Sequence, residues 1–225
     1  ITNMLHAVVI RSDHAHALIR SISTNQAREL QGVVDVITGA DLVGVLPNIP
    51  IRPMGDRSVD EFNPPEHPVL AQDKVCYVGQ PVAVVVAENP YLARDGAELV
   101  DVDYEPLAPV INLELAIDPD TPKIHQNLGT NVAIRSVQQG GDIDQAFTQA
   151  DHIVRQRYQI PRLAPSPMEP RGVVADYDPV TDLLTVWDST QAPHQVQRYL
   201  AQSLNRPVET IRVVAPDVGG SFGIK

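Results

Sequence analysis

The chain has 225 residues, enough for one large or two smaller domains with proper cores. A formal charge of -11 disfavours nucleic acid and anionic membrane surfaces as partners, and no apolar run is long enough to span a bilayer. The single cysteine, Cys76, excludes an internal disulfide and an iron–sulfur cluster held by this chain alone.

Ile1-Thr2-Asn3 lacks the charged start and apolar core of a secretory signal, and a lone cysteine suits a reducing compartment, so the expected location is cytoplasmic. Met4–Ile10 reads as a buried strand and Ala17–Ile22 as a second, alternating one. Thr24 is the expected N-cap of a short helix over 25–31 that stops at Gly32, and Val33–Ile37 is a strand. Residues 43–68 are rich in Pro, Gly and Asp without a period and read as a long surface loop. Val75–Tyr77 and Val82–Ala87 flank Gly79-Gln80-Pro81 as strands, the second apolar throughout, as a strand covered on both faces should be. A helix over 91–100 starts behind Pro90, with Leu92, Ala93, Ala97, Leu99 and Val100 on its apolar face. The alternating strand Val100–Tyr104 follows, and strand–helix–strand order predicts a crossover in a partly parallel sheet.

Residues 106–135 carry few regular signals, so a domain boundary falls within or just after them. Asp142 caps a predicted helix over 143–150 with Ile143, Ala146, Phe147 and Ala150 as its stripe, and His152–Ile160 reads as a strand. Val173–Tyr177 and Leu183–Trp187 form a predicted hairpin, and 186–189, 193–204 and 211–215 a strand–helix–strand unit. That unit delivers Gly219-Gly220-Ser221-Phe222-Gly223 to the end of a strand, where open α/β sheets bind ligands.

Two readings of this glycine run stand side by side. It is a strand-end turn, or a loop whose free N–H groups hold an anion or a polar cofactor edge. Spacing excludes a phosphate loop and a dinucleotide fingerprint. Glu169 and Arg171, in a proline-stiffened turn, are either an exposed ion pair worth about 1 kcal/mol or less, or positioned site groups. Gln80 and Gln191 are strand-end amides that either satisfy backbone groups or bond a cofactor. Of seven histidines only His14 and His16 are close in sequence; two ligands are too few for a closed metal site, and a structural role is expected.

Six segments, in order, resemble the molybdenum subunit of the xanthine dehydrogenase/aldehyde oxidase family, the molybdenum hydroxylases, in its bacterial carbon monoxide/aldehyde dehydrogenase-like branch. They are Leu5–Ala17, Tyr77–Ala83, Val102–Leu107, Pro167–Gly172, Thr190–His194 and the terminal glycine run. The resemblance implies an α/β fold with mixed sheets: an α/β-hammerhead domain over 1–135 and the start of a molybdenum-cofactor-binding domain over 136–225. It implies molybdopterin in its cytosine dinucleotide form with molybdenum, a 2Fe-2S subunit and an FAD subunit as partners, and the remainder of the molybdenum subunit as a further partner. The chain is then one chain of a split subunit or a piece of a longer one. Gly219, Gly220, Ser221, Phe222 and Gly223 are the implied cofactor contacts, and Phe222 a wall of the substrate channel. Leu163 and Gly172 stand where branches of the family carry a glutamine, so that amide is either missing or supplied from elsewhere, for instance by Gln191. The implied reaction inserts water-derived oxygen into a C–H bond of an aldehyde or N-heterocycle, its general base lying outside this chain and no metal ligand within it. A non-catalytic docking subunit of the same fold is the rival reading.

Overall fold

The computed structural model describes residues 2–51 and 59–225; part of the loop expected over 43–68 lies outside the described residues. Two compact units emerge, one built from the N-terminal segment with residues 61–134, the other mainly from residues 135–225.

In the first unit, β1 (His6–Arg11), β6 (Pro81–Ala87) and β3 (Val33–Thr38) form one antiparallel sheet with β6 in the middle. A second sheet joins β5 (Lys74–Val75), β2 (Ala17–Ser23) and β7 (Asp101–Pro106). Successive strand residues face opposite sides, so Val82 and Val85 serve different cores. Val82 packs with Ala17, Ala71 and Val75, while Val85 packs with Ala27 and Val36. The unbroken apolar run of β6 is thus explained, as expected, by burial on both faces.

Helix α2 (Pro90–Glu98) packs on β1 and β6 and buries Ala93 and Gly96. Asn89 caps it, its side-chain oxygen accepting from the N–H groups of Tyr91 at 3.0 Å and Leu92 at 2.9 Å. The expected crossover is corrected here. Both edges of β6 are taken by β1 and β3, so β7 has no ladder to join there and pairs antiparallel with β2 in the other sheet. Two shorter elements also differ. Helix α1 (Asn25–Glu29) ends before residue 31, and Thr24 makes no side-chain cap because its hydroxyl accepts from Arg28 Nε instead. The strand expected over 75–77 stops at Val75, since the Cys76 N–H donates to Gln80 Oε1 and not to a neighbouring strand. The two-residue β4 (Glu61–Phe62) interrupts the expected loop and pairs with β8 (Ile134–Arg135).

In the second unit, β9 (Val173–Asp178) and β10 (Leu183–Asp188) form the expected hairpin. Helix α4 (Pro193–Ser203) then carries the chain to β11 (Ile211–Val214), parallel to β10, as the strand–helix–strand pattern predicts. Val186 and Ile211 are buried, and Gln197 Nε2 ties α4 to the Ile211 carbonyl at 2.6 Å. Helix α3 (Ile143–Gln149) has the predicted cap, with Asp142 accepting from the Gln145 N–H at 2.9 Å, but its stripe is not covered: Ile143 and Phe147 are exposed. Residues 152–160, expected as a strand, form none. Their alternation supplies the side-chain pattern, yet no neighbouring strand pairs with them among the described residues, and a ladder needs a partner.

Two expected outcomes follow from the first unit. A Cβ at Gly39 would fall well inside van der Waals contact with the Ala71 carbonyl, which is backbone and cannot rotate away. Gly39→Ala should therefore cost about 2 kcal/mol in urea unfolding, within the range for overpacked sites. Burial, with Lys74 and His16 nearby, holds the His125 pKa below its usual value. The unfolded chain then binds a proton that the folded chain resists, so stability should fall as pH drops below about 6.5. Replacing His125 with Gln should flatten that dependence in pH-resolved urea midpoints.

Candidate functional site

The glycine run lies just past β11 and is pinned to the rest of its unit by three groups. The first is Glu169, in the turn between Pro167 and Pro170. Its Oε2 accepts from the Gly219 N–H at 2.7 Å, from Ser189 Oγ at 2.6 Å and from Lys225 Nζ at 2.9 Å. The Glu169 N–H also donates to the Gly219 carbonyl at 3.4 Å. Ser189 follows β10 directly, so one carboxylate oxygen joins the strand end, the glycine run and the lysine. Donation by Ser189, then Lys225 and the Gly219 N–H, lowers the Glu169 pKa to about 2, so it is a carboxylate at any ordinary pH. Lys225 itself has a side chain with 0% exposure and gives its second hydrogen bond to Ser189 Oγ at 3.0 Å.

Gln191 is the second anchor. Its Oε1 accepts from the Gly223 N–H at 3.1 Å, while its own N–H donates to the Lys225 carbonyl at 3.4 Å. Arg171 supplies the third, donating from Nη2 to the Ile224 carbonyl at 2.8 Å. Inside the run, Ser221 Oγ donates to the Lys225 carbonyl and the Ile224 N–H to the Ser221 carbonyl.

The loop is thereby held at both ends and left open in the middle. Gly219 and Gly223 use their N–H groups on Glu169 and Gln191, whereas those of Gly220, Ser221 and Phe222 have no acceptor among the described residues. Gly220 and Gly223 have φ of +99° and +84°, a conformation suited to glycine. Phe222 shares it at φ +51°, although it has a Cβ, and 69% of the residue is exposed. A Cβ on Gly219 would sit 2.6 Å from Glu169 Cβ, and one on Gly220 3.1 Å from the Phe222 ring and 3.2 Å from Pro167. Next to Gly223 there is open space. Bare, glycine-lined backbone with successive free amides suits the polar edge of a pterin or an anionic oxygen, so the residues present fit a molybdopterin.

The structure brings Gly219, Gly220, Ser221, Phe222, Gly223 and Gln191 together with Glu169 and Arg171. The acid and the arginine are not each other's partner: Glu169 pairs with Lys225, and Arg171 holds a carbonyl. Lys225 and Ser189 are the members that sequence reading missed; an amine behind a glycine turn and a serine at a strand end carry no local signature. Gln80 belongs to the first unit, where it is buried and satisfies the Cys76 N–H at 2.7 Å. His14 packs against Tyr104 in a tilted ring contact with centroids 4.8 Å apart, and the buried His16 bonds the Ala108 carbonyl through Nδ1 at 2.8 Å, the structural roles expected of them. Among the described residues, no cluster of three or more His, Cys, Asp or Glu has a metal-holding arrangement. Leu163 is 83% exposed, and Gly172 accepts from the Ser189 N–H, so neither supplies an amide side chain at the loop.

Comparison with known proteins identifies both segments of the chain. Residues 1–108 match the aldehyde oxidase and xanthine dehydrogenase a/b hammerhead domain, and residues 124–225 match the molybdopterin cofactor-binding domain. The chain is 40% identical to the 6-hydroxypseudooxynicotine dehydrogenase complex subunit gamma of Paenarthrobacter nicotinovorans, over 100% of this chain and 28% of that protein. It is 34% identical to the carbon monoxide dehydrogenase large chain of Afipia carboxidovorans, over 99% and 28%. Among solved structures, quinoline 2-oxidoreductase from Pseudomonas putida 86 superposes with a TM-score of 0.89 at 35% identity, over 99% of this chain and 28% of that one. The reconstituted carbon monoxide dehydrogenase from Oligotropha carboxidovorans does so at 0.84 and 33%, over 100% and 28%. The chain thus spans little more than a quarter of these relatives' length. With hammerhead and molybdopterin-binding segments in the family's order, it belongs to the aldehyde oxidase and xanthine dehydrogenase family, the molybdenum hydroxylases.

Proposed function

We propose that this chain supplies the hammerhead scaffold and one wall of the molybdopterin site in a cytoplasmic molybdenum hydroxylase, an oxidoreductase that is complete only with partner polypeptides. Its domains divide near residue 135, with the hammerhead before and the start of the cofactor domain after. The observation that carries this reading is the Gly219–Gly223 turn, anchored at both ends, with the N–H groups of Gly220, Ser221 and Phe222 lacking an acceptor among the described residues.

When bound, the molybdenum cofactor, in its cytosine dinucleotide form, supplies two-electron oxidation of a substrate carbon. In the net reaction a C–H bond and water become C–OH, with two electrons and two protons released. The electrons leave through 2Fe-2S and FAD subunits. This chain's residues bind and position. The three free amides hold polar cofactor edges, with Gln191 fixing the Gly223 end of the turn. Phe222, largely exposed with its ring beside Gly220, lines the substrate channel and excludes water beside the reacting carbon. Proton abstraction falls to a glutamate on the remainder of the molybdenum subunit, where most of the pocket also lies. The substrate is a small aldehyde or N-heterocycle. Support for that class comes from relatives whose names include nicotine 6-hydroxylase, quinoline 2-oxidoreductase and aldehyde oxidoreductase.

Metal and pterin analysis of the native complex purified through this chain tests the reading. Molybdenum and pterin near one per complex are expected; an intact complex lacking both makes the chain a docking subunit instead. Within the active complex, Phe222→Ala should lower turnover roughly tenfold with assembly unchanged, as expected when a channel wall no longer orients substrate. Steady-state kinetics identical to the parent would remove Phe222 from the channel.

A further inference from the structure

The division of labour among the loop amides has a single electrostatic origin. Lys225 ends in an ammonium with 0% side-chain exposure. A cation withdrawn from water needs a counterion and hydrogen bonds, and here both come from Glu169 Oε2 and Ser189 Oγ. That same oxygen takes the Gly219 N–H, and Ser189 sits at the end of β10, so the charge pair ties the first residue of the turn to the sheet. Arg171 and Gln191 fix the far side through the Ile224 carbonyl and the Gly223 N–H. Bonds to ionised groups are the stronger class, and in the Glu169–Lys225 pair, at 2.9 Å, both partners are ionised.

We propose that Glu169 and Lys225 are positioning residues: their ion pair, closed on Ser189, locks the Gly219–Gly223 turn so that the Gly220, Ser221 and Phe222 amides are already aimed when the cofactor arrives. The inference rests on the proposed cofactor role of the turn. Neither side chain touches the cofactor in this account; each acts through Gly219 and the strand end. Without the lock the turn is tethered only by neutral bonds and by Arg171, and a cofactor would have to order it on binding, at a cost in affinity.

The variants are Glu169→Gln, Lys225→Met, their double mutant, and Lys225→Arg. Glu169→Gln keeps the shape but strands a buried ammonium, and Lys225→Met frees the carboxylate to keep Ser189 and Gly219. Glu169→Gln should therefore be the more disruptive single change. The double mutant, having no unpaired charge, should be no worse than Glu169→Gln alone. Amide hydrogen exchange in the full chain should quicken about tenfold or more in Glu169→Gln at the bonded amides of this segment, Gly219, Gly223 and Ile224, with β1 and β6 unchanged. Lys225→Arg should restore part of the protection. In the native complex Glu169→Gln should lower pterin retained through purification while subunit stoichiometry holds.

Unchanged exchange at the Gly219, Gly223 and Ile224 amides in both single variants would overturn the lock. Quickened exchange with full pterin retention would overturn its role in positioning the turn for the cofactor. A wild-type complex without pterin would instead defeat the proposed function, and the exchange data alone would then judge the lock.

Discussion

A buried ammonium is the demand around which the glycine-run end of the second unit is arranged. Lys225 has no access to water, and its charge is met by Glu169 and Ser189 alone among the described side chains. Three separate pieces of backbone must meet to satisfy it: the proline-stiffened turn carrying Glu169, the end of β10 carrying Ser189, and the segment after β11. The geometry of the glycine run follows from that meeting. Because Gly219 lies 2.6 Å from Glu169 at the position a Cβ would take, a side chain there would push the carboxylate away from its partners. Glycine at 219 is therefore required by close approach, and glycine at 220 and 223 by the sign of φ.

How much of this was legible in the sequence depended on whether the cause was local. The β6 run is apolar at every position because both faces are buried, and that pattern survives translation into structure intact. The β10–α4–β11 crossover was equally readable, since a parallel pair must be joined by a long connection and Pro193 marks where its helix begins. The failures share the opposite property. Order along the chain predicts β7 in the sheet of β6, but free ladder edges decide pairing, and β6 has none. Residues 152–160 alternate as a strand should, yet alternation cannot provide the neighbour.

The site shows the same split. The glycine run announced itself through composition, and Gln191 through its place at a strand end. The partner of Glu169 did not, because the eye pairs an acid with the arginine two residues on. The cation chosen by the fold is 56 residues away, and Arg171 turns to a backbone carbonyl. No spacing rule reaches across that distance. What the sequence did carry was the stiffness of Pro167-Met168-Glu169-Pro170, which fixes where the carboxylate points and lets a remote lysine rely on it.

Phe222 brings these constraints to one residue. A phenylalanine at φ +51° occupies a region that L side chains avoid, at a cost on the order of 1–3 kcal/mol. Such a conformation persists only where the flanking chain leaves no alternative. Here the Gly219 side is bonded to Glu169 and the Gly223 side to Gln191, so the three residues between must close a fixed gap. A glycine would close it without strain. The phenyl group is therefore not explained by the turn, nor by burial, since it is largely exposed. Its place is explained if the ring serves something outside the turn, and the free amides of Gly220, Ser221 and Phe222 lie in the same three residues. Strain, exposure and unused donors coincide at one point in the loop, where the proposed cofactor wall would find both its hydrogen-bond donors and its aromatic lining.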